Sequence, residues 1–61
     1  MEVVFREREG VVIGVSDRGR RWRVTRAVCG WRLDFWDTGD VRPTYAGTFE
    51  SLTAAINEAR R

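Results

Sequence analysis

The chain has 61 residues, 43% hydrophobic and 33% charged, with a formal net charge of +2, a size and balance that fit one folded domain spanning residues 1–61 with a thin core and exclude a disordered tail. All eleven basic residues are arginine, histidine and lysine are absent, and Cys29 is the single cysteine, which removes an internal disulfide, a thiol–imidazole metal site and most acid–base or nucleophilic catalysis. No apolar run approaches the ~20 residues that span a bilayer, and the start MEVVFRERE lacks the basic opening and long apolar run of a secretory signal; a cytoplasmic, reducing setting is expected, with no membrane partner.

Val3 and Phe5 alternate with Val4 and Arg6 in a first strand of about residues 2–8, and Gly10 breaks the chain before Val11 to Val15. Ser16-Asp17-Arg18-Gly19 has the composition of a hairpin turn. From Arg21 to Val28 the pattern places Trp22, Val24, Arg26 and Val28 on one side and Arg21, Arg23, Thr25 and Ala27 on the other. Cys29-Gly30 reverses the chain. Trp31, Leu33 and Phe35 then form the apolar side of a strand opposed by Arg32, Asp34 and Trp36, and a slip of one residue would bury its charges. Asp37-Thr38-Gly39-Asp40 closes this strand as a polar turn. Pro43 confines the next segment to a sheet edge, where Thr44 to Gly47 add a short strand. From Ser51 to Arg60 a serine cap precedes a stripe of Leu52, Ala55, Ile56 and Ala59 at helical spacing, with Thr48 a competing cap and Phe49 plugging the junction. A helix this short needs a surface to rest on.

These elements predict an α+β fold: an antiparallel sheet of three to five strands with one C-terminal helix packed on one face. The helix covers Trp22, Val24, Trp31, Leu33 and Phe35. The open face then carries Arg21, Arg23, Thr25, Arg32, Asp34 and Trp36, with Val4 or Val12 beside them. Arg26 falls on the covered side, so its guanidinium must reach the sheet edge or a bulge must shift the register.

Charge is distributed unevenly: residues 1–17 sum to −2, 18–32 to +6, 33–40 to −3 and 41–61 to +1. Cys29, in a turn with no candidate base, reads as a partly buried, inert thiol. Asp34, Asp37 and Asp40 lack the glycine and distal glutamate of a calcium loop, and Gly10, Gly14 and Gly19 do not form a phosphate loop. No metal, cofactor, small-molecule substrate or catalytic residue is expected. What remains is a contact surface: Arg21, Arg23 and Arg32 suit phosphates or guanine edges, and Trp36, opposite the core side, suits stacking. Contact with nucleic acid is therefore the first expectation, and the alternative is a protein partner on the same face, either a host protein or a second copy in a homodimer.

The run from Trp31 to Asp40, with Gly47-Thr48-Phe49-Glu50-Ser51-Leu52-Thr53-Ala54-Ala55 after it, resembles the N-terminal arm-site-binding domain of phage-type tyrosine recombinases over roughly residues 21–60. That resemblance implies three antiparallel strands backed by a helix, with DNA on the open face at Arg21, Arg23, Arg32 and Trp36. An extra N-terminal hairpin half, the acidic second turn and the lack of lysine depart from it. The chain also resembles the small arginine-rich accessory proteins of actinobacterial phages and their hosts, which implies binding or inhibition of a host component.

Overall fold

The computed structural model describes residues 3–61. Strands β1 (Val3–Arg8), β2 (Val11–Ser16), β3 (Arg21–Ala27), β4 (Gly30–Trp36) and β5 (Thr44–Phe49) lie in chain order across one antiparallel sheet, and helix α1 (Leu52–Ala59) completes the chain. All five strands form, the upper end of the expected range. The proposed start of β1 at residue 2 lies outside the described residues.

Short connections impose the order of β1 to β4, because a tight turn can join only adjacent antiparallel strands. Glu9 and Gly10 link β1 to β2 with both φ angles positive, 53° and 82°, as a two-residue hairpin turn with right-handed strand twist requires. Between β2 and β3, the backbone N–H groups of Arg18 and Arg20 donate to Ser16 Oγ at 3.3 and 3.0 Å, and Gly19 N–H donates to Ser16 O at 3.1 Å. The serine hydroxyl organises the loop that its own residue begins.

The turn between β3 and β4 corrects two expectations. Ala27 pairs with Gly30, so the reversal consists of Val28 and Cys29; Val28 leaves the apolar side for solvent, and Cys29 is exposed rather than partly buried. Gly30 has φ +139°, and a Cβ there would collide with the carbonyl oxygen of Phe49. Glycine at this position lets β5 close against the start of β4.

On one face Val3, Val12, Trp22, Val24 and Leu33 are buried together with Ala55 and Ala59 of α1, and Phe5, Trp31, Phe35, Phe49 and Leu52 pack around them. Val12 therefore belongs to the covered face, and Val4 alone of the two valines to the open one. The buried helix residues are alanines, so the helix can approach Val24 and Leu33 closely; Ser51 Oγ caps it by accepting from Ala54 N–H at 3.1 Å. Thr48 does not serve as the cap. It lies within β5, which runs two residues past Gly47.

Arg26 resolves without a bulge in β3: its side chain is exposed at the edge of the covered face, with its guanidinium 5.3 Å from the Trp31 ring centroid. Among the described residues the register is irregular between Leu33 and Asp34, where β5 carries an extra residue, so Leu33 pairs with Gly47 but Asp34 pairs with Tyr45. An uninterrupted register would have set Ala46 opposite Asp34. The bulge turns Tyr45 onto the open face instead.

Candidate functional site

Strand register arranges the open face as cross-strand rows. The first runs Val4, Val15, Arg21, Trp36, and the second Arg6, Ile13, Arg23, Asp34, Tyr45. Beyond them Arg8 lies beside Val11, and Thr25 beside Arg32 and Thr48. All four sequence-predicted contact residues, Arg21, Arg23, Arg32 and Trp36, therefore share one face.

Asp34 is the residue whose environment departs most from expectation. It sits in the middle of the open face, yet it is only 1% exposed. Arg23 Nη2 lies 3.5 Å from its Oδ2 and Arg32 Nε lies 3.2 Å from its Oδ1, so the carboxylate is roofed by two guanidinium groups that are themselves partly in solvent. Each arginine also rests on an aromatic ring: Arg23 is 4.9 Å from the Trp36 centroid and Arg32 is 5.0 Å from that of Tyr45. Arg21 approaches Trp36 at 5.8 Å. Tyr45 is held in turn through its hydroxyl, 2.8 Å from Thr48 Oγ1. Charge, stacking and hydrogen bonding thus fix side chains that would otherwise lose about 2 kcal/mol of rotamer entropy each on being immobilised by a ligand.

Trp36 is half-buried by this arrangement rather than freely exposed. Tyr45, which sequence reasoning did not single out, reaches the face only because of the bulge. The same reasoning offered Val4 for this face but passed over Ile13 and Val15 of β2: Val4, Val15 and Ile13 are 56%, 50% and 38% exposed. Their signal was available in the alternation of the first two strands.

Two shallow grooves cross this aliphatic part. One of about 640 Å³ is lined by Val4, Arg6, Val15, Ser16 and Asp17, and a smaller one of about 260 Å³ by Ile13, Arg21, Trp22 and Trp36. Across the whole face, Arg6, Arg8, Arg21, Arg23 and Arg32 against Asp34 give a formal +4, twice the net charge of the chain. Asp17 at the rim lowers that to +3.

No cluster of three or more histidine, cysteine or acidic side chains suited to a metal ion occurs among the described residues, and no helix is long and apolar enough to cross a membrane. Compared with protein-family models, curated proteins and solved structures, the chain matches none.

Proposed function

We propose that this chain is a non-enzymatic binding module that docks a protein partner on the open face of its sheet. The observation that carries this reading is the juxtaposition of exposed Val4, Ile13 and Val15 with an arginine-flanked tryptophan and a tyrosine. Tryptophan, tyrosine and arginine dominate binding energy at protein interfaces, and aliphatic side chains left in water beside them gain about 25 cal/mol for each Å² that a partner covers.

Nucleic acid is the second reading, and the +4 face with Arg21 and Arg23 about Trp36 supports it. Three features weigh toward protein. A phosphate backbone gains nothing from the valines; Arg23 and Arg32 already share the Asp34 carboxylate; and both arginines beside Trp36 occupy positions over its ring that a stacking base would need. The two readings separate by experiment. With a photo-crosslinking residue at Val15, the protein reading predicts a protein adduct that survives nuclease treatment and is missing when the same residue replaces Asn57 on the exposed side of α1. A nuclease-sensitive adduct, together with salt-dependent gel shifts weakened by Arg23→Ala with Arg32→Ala, would establish the nucleic-acid reading instead.

A further inference from the structure

We infer that the partner is an acidic protein segment with aliphatic anchors, lying extended across β1 to β3, and that it is not a second copy of this chain. The inference rests on the protein-docking reading and names the chemistry of its partner. Charge complementarity carries it. Arg6 and Arg21 have no acidic partner among the described residues, whereas Arg23 and Arg32 are held by Asp34. Arg8 has none either, but it lies beyond the aliphatic strip; Arg6 and Arg21 stand beside it, since Arg21 pairs across strands with Val15 and Arg6 comes after Val4 on the same side of β1.

Spacing defines what fits. Alternate side chains of an extended segment are about 6.6 Å apart, and neighbouring strands about 4.8 Å apart. A segment with an aliphatic side chain in the groove between Val4 and Val15 can therefore place carboxylates at Arg6, one step along β1, and at Arg21, one strand away. The rim residue Asp17 restricts acidic side chains to the other end of that groove.

A second copy does not satisfy these positions. Stacking two open faces would oppose +4 with +4. Antiparallel pairing of β1 with β1 fares no better, because a two-fold axis perpendicular to the sheet keeps each face on its own side, so among the described residues Arg6 and Arg8 meet arginine or valine of the other copy and not Glu7. Alternation of Arg6, Glu7 and Arg8 thus disfavours antiparallel self-pairing at this edge.

The probe is a short capped peptide of alternating glutamate and leucine, titrated alongside matched glutamine–leucine and lysine–leucine peptides and a DNA duplex, with methyl and amide NMR shifts as readout. The glutamate–leucine peptide is expected to move the signals of Val4, Ile13 and Val15 and to bind at least about tenfold more tightly than the glutamine–leucine peptide. Arg6→Glu with Arg21→Glu should reverse the preference toward lysine–leucine, and Arg6→Gln with Arg21→Gln should abolish it while leaving the fold intact. Equal binding of the glutamine–leucine peptide at these residues would overturn the acidic partner and leave the docking face standing. Tighter binding of the duplex there, self-association through these residues, or peptide binding elsewhere or not at all would overturn the inference.

Discussion

Val24 and Leu33 pair across β3 and β4 on the covered face; one position away, Arg23 and Asp34 pair across the same two strands on the open face. Leu33 and Asp34 are both fully enclosed, yet by opposite means. Leu33 is enclosed by a helix laid over it, at the cost of nothing but ordering that helix. Asp34 is enclosed by its own neighbours' side chains, which turn a buried charge into the anchor of a rigid, outward-facing cationic surface. The contrast teaches that burial here does not mark the core: one buried residue holds the fold together and the other prepares a surface.

Substitutions can break this contrast, and the largest effect is expected at Leu33. Leu33→Ala removes a side chain with no exposure under α1 and should cost about 3 kcal/mol in chemical denaturation, a large part of the stability available to so small a domain. Gly30→Ala should come next at about 2 kcal/mol, since the left-handed φ and the Phe49 carbonyl both oppose a Cβ. If Gly30→Ala leaves the melting temperature unchanged, β5 does not close tightly on the start of β4.

Asymmetry is expected around Asp34. Removing both guanidinium groups with Arg23→Ala and Arg32→Ala strands a carboxylate in an enclosed position and should cost about 2 kcal/mol. Asp34→Asn leaves the arginines free to reach water and should cost about 1 kcal/mol or less, while raising the formal charge of the face by one unit and strengthening nonspecific DNA binding in low-salt gel shifts. Equal costs for the two changes would mean that Asp34 is not held by these arginines. The smallest effects are expected at Arg6→Gln and Arg21→Gln, each within about 0.5 kcal/mol of the parent in thermal unfolding, because neither residue has an ion-pair partner among the described residues to lose.

Much of the fold was legible in the alternation of Trp31 to Trp36 and in the spacing of Leu52, Ala55, Ile56 and Ala59, since periods of two and of 3.6 residues are written directly into the chain. Val28 and Cys29 misled because a two-residue turn is set by strand register, and nothing in an apolar pair announces it. Gly47 looked like the end of β5, although glycine there marks a close approach in mid-strand, next to the Phe49 ring. That Arg21, Arg23, Arg32 and Trp36 share one face was legible from period alone. The arrival of Tyr45 beside Asp34 was not, because it depends on the bulge opposite Leu33 and Asp34, a property of two strands together that neither strand encodes by itself; nor was the burial of Asp34, which depends on how the Arg23 and Arg32 side chains fold over it.

The comparison of the two faces reduces to the methyl groups of Val4, Ile13 and Val15 on one side and of Val24 and Leu33 on the other. Tracked by NMR during titration with the glutamate–leucine peptide, the first set is predicted to shift progressively to saturation while the second stays in place. Movement of the Val24 and Leu33 methyls together with those of α1, with the open-face valines unmoved, would contradict the assignment of binding to the open face.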